Sequence, residues 1–155
     1  MKIISLIFLF LLFTCVSKCN TSISNCADLQ NMQNNLTDSY ILLNNLNCSS
    51  MNLVPIGNMS SPFKGVLDGQ GFVIHGLNLT SSVDNVALFS VGDGAVVQNI
   101  IFSDFWVTST SNNTALIFGQ ASSVTIMNVS LTALNQSMIS STMGIKTFFF
   151  SLSFF

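Results

Sequence analysis

Short apolar stretches separated by turn-forming residues make up most of this chain. Near its beginning, Leu29, Met32 and Leu36 follow the steps of three and four residues that place side chains on one face of a helix. Ser24 and Asn25 precede them as candidate N-caps. Further along, apolar runs are interrupted every few residues by Gly, Asn, Asp or Ser, which favours strands and leaves no room for a second helix. The pattern predicts strands over residues 40–43, 63–67, 72–79, 86–91, 95–102, 105–108, 115–118 and 124–131.

A repeat is visible in these predicted strands. The apolar–turn–apolar segment that begins at Ala87 aligns with the one that begins at Ala115, after one inserted residue. The second halves of these two segments also align with an earlier segment that begins at Ile74. Ile74, Val97 and Ile126 then occupy the same position in three successive copies. A period of about 20 to 30 residues, built from short strands and tight turns, is typical of a parallel β-solenoid, because each coil buries its apolar face by stacking on the next.

Stacked coils place equivalent residues above one another, and the repeat makes Asn99 and Asn128 equivalent. Two asparagine side chains in that arrangement can hydrogen-bond as a ladder. We expect a ladder amide to point inward. Asn128 also begins a glycosylation sequon, and for this residue we favour the ladder over the glycan.

The two ends of the chain differ from the body. Lys2 is followed by residues 3–16, of which only Ser5 and Thr14 are polar. This pattern is typical of a secretory signal peptide cleaved near Ser17, because the apolar run is too short for an ordinary membrane span. An uncleaved membrane anchor is the alternative. The last eight positions hold five phenylalanines, which indicates either an incomplete or frameshifted product or a terminal strand buried against a partner. We divide the chain into a signal peptide (1–17), an N-terminal capping segment (18–36), solenoid repeats (37–143) and an atypical apolar tail (144–155).

Composition removes several classes of function. Charged residues are 6% of the chain, with 4 Lys, 6 Asp and neither Glu nor Arg, and the net charge is −2. The basic surface that binds a phosphate backbone is therefore missing, so we predict no nucleic-acid partner. A single histidine, His75, excludes a multi-histidine metal site, and we predict no cofactor.

Eight sequons of the form Asn-x-Ser/Thr agree with passage through a eukaryotic secretory pathway, although a chain rich in Asn and Ser produces some by chance. One is Asn20, another is Asn128, and we predict glycosylation at the other six: Asn35, Asn47, Asn58, Asn78, Asn112 and Asn135.

Signal-peptide cleavage leaves three cysteines, an odd number. Cys26 and Cys48 flank a segment that should fold back on itself, so we predict that they form a disulfide in an oxidising compartment. Cys19 then stays free or pairs elsewhere.

The segment Pro62-Phe-Lys-Gly-Val-Leu-Asp-Gly-Gln-Gly71 carries the most specific family resemblance. Together with its flanking repeats, over residues 24–131, the chain resembles the GLUG-repeat proteins, which are secreted right-handed parallel β-helices of the pectin-lyase-like class found in bacterial adhesins and protist surface proteins. The resemblance implies an all-β fold, a short right-handed parallel β-helix with an N-terminal capping helix. The family commonly has Asn-Asp-Ile-Asp-Cys where this chain has Asn44-Asn-Leu-Asn-Cys48, so both acids are absent here.

Candidate chemistry is sparse. In Asp68-Gly-Gln-Gly71 we predict a structural turn, with Gly69 and Gly71 at positive φ and Asp68 accepting a hydrogen bond from the backbone two residues on. The other acids lie singly, and only Asp84 and Asp93 could meet by stacking.

Exposed aromatic residues are a further candidate site, here for carbohydrate stacking. Strand alternation forces one of Phe105 and Trp106 outward, although core packing of either is the alternative.

These observations predict a non-catalytic scaffold, secreted or on the cell surface, that serves adhesion or interaction. Its partner would be an extracellular protein or a carbohydrate, and its mature chain would not span a membrane. A truncated fragment of a carbohydrate-active β-helix protein is the alternative, and a degenerate copy without a function of its own is a third possibility.

Overall fold

The structure, a computed structural model, describes residues 20–110, 112–132 and 138–141. The predicted signal peptide, Cys19, Asn135 and the apolar tail lie outside these residues. The described part is a parallel β-solenoid of about three turns with a short N-terminal helix. It contains helix α1 (Cys26–Asn31), a 3₁₀ turn (Met32–Asn34) and the strands β1 (Thr21–Ile23), β2 (Ser39–Leu42), β3 (Leu46–Asn47), β4 (Asn52–Leu53), β5 (Val66–Asp68), β6 (Val73–His75), β7 (Asn78–Ser81), β8 (Phe89–Asp93), β9 (Val96–Ser103), β10 (Trp106–Ser109), β11 (Phe118–Ser122), β12 (Thr125–Thr132) and β13 (Met138–Ser141).

Helix α1 confirms the predicted N-terminal helix. Asn25 is its N-cap, and the side chain accepts a hydrogen bond from the Asp28 backbone N–H at 2.9 Å. Leu29 and Met32 are fully buried against the first coil, which explains the spacing of apolar residues in this segment. The Cys26–Cys48 disulfide is confirmed and joins the start of the helix to the residue after β3.

Three parallel sheets form the faces of the solenoid. The first sheet has the order β1-β2-β5-β9-β6-β3, with β12 also paired to β9; the second has the order β13-β10-β7-β4; the third pairs β11 with β8. All these strand pairs are parallel, which requires each coil to run in the same direction as the one below it. No helix in the described part of the chain is long and apolar enough to cross a membrane.

The register confirms one of the two predicted steps of the repeat. Val97 pairs with Ile126, as the alignment predicts. Ile74 instead pairs with Phe102, so the predicted alignment of Ile74 with Val97 was wrong. The reason is that β9 is one long strand that pairs with β5 and then with β6, whereas in the preceding coil those two strands are separated by a turn.

The interior is filled by columns of apolar side chains. Phe63 and Phe89 stack with ring centroids 4.1 Å apart, and Phe118 continues the column at 5.3 Å from Phe89. We call these three residues the phenylalanine column. All three are almost completely buried, so the column contributes both apolar burial and aromatic contact between coils.

The predicted strand over residues 72–79 is two strands. Gly76, at φ +69°, bends the chain between β6 and β7, and a Cβ on it would lie 2.7 Å from the Cβ of Ser49 in the coil below. The pattern also missed β13, and it missed β1, β3 and β4, whose two or three residues are too few to display alternation.

Candidate functional site

The outward surface of the second sheet is the most distinctive surface of the described residues. Trp106 is 38% exposed there, whereas its neighbour Phe105 is only 7% exposed, which confirms that one member of this pair faces outward. We call this surface the Trp106 face. Its outward side chains are those of Asn52, Asn78, Thr80, Trp106 and Thr108.

Register places these side chains in rows across the sheet. Trp106 lies beside Asn78, and Asn78 lies beside Asn52. The Asn78 Nδ2 donates to the Asn52 Oδ1 at 2.7 Å, and in the next row the hydroxyls of Thr80 and Thr108 are 3.0 Å apart. An aromatic ring therefore lies next to a row of amides and a row of hydroxyls.

The chemistry of the Trp106 face suits a neutral polar ligand. None of the residues in β4, β7, β10 and β13 is charged. Trp106 supplies a large apolar surface, while the Asn52 amide and the threonine hydroxyls can donate and accept hydrogen bonds. The Oδ1 of Asn78 is buried, and its Nδ2 already donates to Asn52. The surface offers no carboxylate or imidazole for acid–base catalysis. Sequence reasoning found Trp106 but missed Asn52 and Thr80 and treated Asn78 only as a sequon, because these three come from other coils, whose spacing was not known. It also missed Thr108, which lies two residues after Trp106 in the same strand.

Asp68 is held in place by the turn that follows β5. Its Oδ1 accepts from the Gln70 backbone N–H at 2.9 Å and from the Asn99 Nδ2 at 3.1 Å, and its Oδ2 accepts from the Gln98 Nε2 at 2.8 Å. Burial alone would raise the pKa of Asp68, but these hydrogen bonds outweigh it and lower the pKa below its ordinary value. A carboxyl group held as the anion is poorly suited to act as a general acid.

The glycines of this turn play different roles from those predicted. Gly71 has φ +82°, as expected, but the second left-handed residue is Gln70, at φ +52°, and Gly69 is not in that region. Gly69 is required for another reason: a Cβ on it would lie 2.5 Å from the Asn99 carbonyl oxygen. The prediction for Gly69 was therefore wrong, since close approach of the next coil, and not positive φ, constrains this position.

A polar ladder continues from Asp68 through Asn99 to Asn128. The Asn128 Nδ2 donates to the Asn99 Oδ1 at 2.9 Å. Both asparagines have left-handed backbones, with φ of +52° and +49°. The ladder lies at the surface, because Asn99 is half-buried and Asn128 is exposed, so the expectation that ladder amides point inward was wrong. A left-handed residue bends the strand at a corner of the coil and directs the side chain along the stack.

Asp84 and Asp93 are the two acids that the sequence allowed to meet by stacking. Asp93 pairs with the Lys64 Nζ at 2.6 Å, and Asp84 accepts from the Asn112 backbone N–H at 3.1 Å, so the two acids bind separate partners. Among the described residues, no three His, Cys, Asp or Glu side chains lie close enough to hold a metal ion.

His75 has a serine and an acid beside it, but not as a catalytic triad. The Ser103 Oγ is 3.1 Å and the Asp104 Oδ2 is 3.3 Å from the same ring nitrogen, Nδ1. A nucleophile–base–acid relay requires contacts on both ring nitrogens. This cluster therefore joins β6 to the end of β9 in the next coil.

The predicted glycosylation sites occupy different environments. Asn35, Asn47 and Asn58 are exposed, and the side-chain oxygen of each accepts a hydrogen bond from the backbone two residues on. Asn112 is also exposed, whereas Asn78 is half-buried in the Trp106 face. Glycosylation stays a prediction at all five sites. A glycan on the Asn78 Nδ2 would occupy the Trp106 face, so at this site glycosylation and ligand binding on that face exclude each other.

An open cleft at the first coil was not predicted from the sequence. It is lined in part by Asp28 and Asp38, whose carboxylate oxygens accept hydrogen bonds from Ser24, Asn25, Thr21 and Ser39. Its Tyr40 hydroxyl donates to the Asn35 carbonyl oxygen at 2.6 Å; burial and, secondarily, the charge of Asp38 raise the pKa of Tyr40.

Comparison with known proteins gives no relative for this chain. No family model matches the sequence. No curated protein and no solved structure matches it either. The parallel β-solenoid with its N-terminal helix is therefore the most specific class to which the chain is assigned.

Proposed function

We propose that the chain is an extracellular, non-catalytic β-solenoid scaffold that binds a neutral carbohydrate on the Trp106 face. The observation that carries this proposal is the exposed Trp106 ring beside the Asn52–Asn78 amide row. The flat apolar face of a sugar ring packs on an aromatic ring, and its hydroxyls pair with amides and hydroxyls. The absence of charge from the described strands of this sheet favours a neutral sugar over an acidic one.

The extracellular location has separate support. The Cys26–Cys48 disulfide is compatible with an oxidising compartment, and the sequence resembles the secreted GLUG-repeat proteins. A scaffold role also agrees with the position of the Trp106 face on regular strands, where the solenoid core holds the outward side chains in fixed positions.

Trp106 provides a direct assay, since it is the only tryptophan of the chain. Titration with soluble neutral polysaccharides, such as β-glucan, xylan and mannan, should shift or quench its fluorescence with at least one of them. Trp106→Ala should weaken binding of that polysaccharide by about tenfold or more, measured by calorimetry, because the stacking surface is lost. Met127→Ala is the matched control: Met127 is 48% exposed on β12 of the first sheet, and its loss should leave the affinity unchanged.

Equal affinity of the parent and the Trp106→Ala variant would refute the proposal. So would fluorescence that no neutral polysaccharide changes. The alternative, a fragment of a carbohydrate-active protein, would be favoured instead if the chain released reducing ends from a polysaccharide that it binds.

A further inference from the structure

One of the predicted glycosylation sites lies on the Trp106 face. Asn78, Leu79 and Thr80 form its sequon, and they are consecutive residues of β7. Side chains two residues apart point to the same side of a strand, so the asparagine and the threonine of a sequon face the same way when the sequon lies in a strand. Leu79 is fully buried, which places Asn78 and Thr80 on the outward side. Both polar residues of this sequon therefore belong to the surface that we propose binds a carbohydrate.

The attachment point of a glycan at this site is one strand away from Trp106. Asn78 and Trp106 are directly paired in the register of β7 and β10, and neighbouring strands are about 4.8 Å apart. A sugar ring with its substituents is wider than this spacing. The Asn78 Nδ2 donates to the Asn52 Oδ1 at 2.7 Å, so a glycan on that nitrogen starts between Asn52 and Trp106. Its first sugars would fill the space that a ligand needs above the indole ring.

The other predicted sites among the described residues lie outside the second sheet. Asn47 belongs to β3 of the first sheet, and the remaining three lie outside the helix and the strands: Asn35, Asn58 and Asn112. Of these five sites, Asn78 is therefore the one that places a glycan within the Trp106 face itself.

We propose that an N-glycan on Asn78 closes the Trp106 face, so that only chains without a glycan at this site bind an external carbohydrate there. This inference rests on the function proposed for that face. The modification joins the Asn78 Nδ2 to the anomeric carbon of an oligosaccharide diphosphate donor; the bond from that carbon to the diphosphate oxygen breaks, the diphosphate leaves, and one amide proton passes to a base of the transferase. It takes place before β7 is paired, because in the folded chain the Asn78 Oδ1 is buried and the Nδ2 is hydrogen-bonded.

Production of the chain in two hosts tests the proposal. The parent secreted into a bacterial periplasm without N-glycosylation, where the disulfide can form, should bind the neutral polysaccharide identified by the Trp106 fluorescence titration. The parent from a eukaryotic secretory host should carry a glycan on Asn78, detected by peptide mass spectrometry. This glycosylated parent should bind the same polysaccharide at least about tenfold more weakly, measured by calorimetry.

Thr80→Val is the matched variant, because it removes the sequon, keeps Asn78 and replaces only a hydroxyl by a methyl group. Its affinity should be the same from both hosts, and comparison with the bacterial parent gives the effect of the lost hydroxyl alone. Thr80→Ser keeps a sequon and should restore the difference between the hosts. Asn78→Gln is a second variant without the sequon, which retains an amide, and it should also bind equally from both hosts.

Three results would overturn the proposal: Asn78 without a glycan in the eukaryotic material, equal affinity of the parent from both hosts, or a difference between hosts that persists in Thr80→Val and Asn78→Gln. The last of these would assign the effect to another glycan. In all three cases the carbohydrate site itself would stand, since the bacterial parent still binds. If the bacterial parent binds no neutral polysaccharide, the function proposed for the Trp106 face fails, and this inference fails with it.

Discussion

The Cys26–Cys48 disulfide allows a quantitative prediction of stability. It closes a segment with a sequence separation of 22 residues and connects helix α1 to the coil that the helix covers. For a loop of this length, the lost chain entropy of the unfolded state corresponds to about 3 kcal/mol at 25 °C. Breaking the bond should therefore lower the free energy of unfolding by about 2 to 4 kcal/mol, which is a large fraction of the stability of an ordinary domain.

Two perturbations separate the cross-link from the packing of the sulfur atoms. Reduction with dithiothreitol opens the loop and leaves both side chains in place, whereas the double variant Cys26→Ala and Cys48→Ala also removes buried atoms, since the two cysteines are 8% and 0% exposed. Urea unfolding followed by circular dichroism should show a midpoint lower by about 1 to 3 M in the reduced parent. The double variant should unfold at the same or a slightly lower midpoint. Equal midpoints for the oxidised and reduced parent would refute the loop-entropy argument.

Two further predictions concern the turn after β5. Because the pKa of Asp68 is lowered in the folded state, this residue should add stability at pH values above the ordinary carboxyl pKa of about 3.9, and the contribution should disappear as the pH falls through the lower folded pKa. The urea midpoints of the parent and of Asp68→Asn should therefore differ at pH 7 and converge in stronger acid. A difference that is the same at both pH values would contradict this prediction. Gly69→Asn should lower the free energy of unfolding by about 1 to 3 kcal/mol, because the new Cβ would meet the backbone of the next coil. Gly71→Asn should lower it by less than about 1 kcal/mol, because this position is left-handed and has open space around it. Equal melting of the two variants would show that the approach of the coils does not constrain Gly69.

The fold was predictable because the solenoid leaves a local mark on the sequence. Short apolar runs and frequent turn residues identify strands, and the alignment of Val97 with Ile126 identifies one stacked pair correctly. The alignment of Ile74 with Val97 failed because coils of this protein differ in how many residues form each corner. Ile74 lies after the four-residue turn that separates β5 from β6, and no such turn is present in β9.

The candidate site was only partly predictable for the same reason. Alternation within one strand requires that one of Phe105 and Trp106 faces outward, and this needs no knowledge of other coils, but only the structure shows that it is Trp106. Its neighbours on the Trp106 face are Asn78, one coil upstream, and Asn52, one coil further upstream. The interval along the chain from Asn78 to Trp106 is longer than the interval from Asn52 to Asn78. Unequal spacings of this kind cannot be obtained from a single sequence in which few coils are present, so the amide row became visible only in the structure.

Two sets of residues keep the coils in register, and both lie away from the Trp106 face. The phenylalanine column fills the interior, while Asn99 and Asn128 adopt the left-handed backbone at one corner. Each set repeats with the same interval along the chain, from Phe89 to Phe118 and from Asn99 to Asn128. A slip of one residue would turn the phenylalanines toward solvent and place residues that resist positive φ at the corner. Because these positions specify the stacking, the outward side chains of the second sheet are free to differ from coil to coil, and a surface with that freedom can carry a binding function.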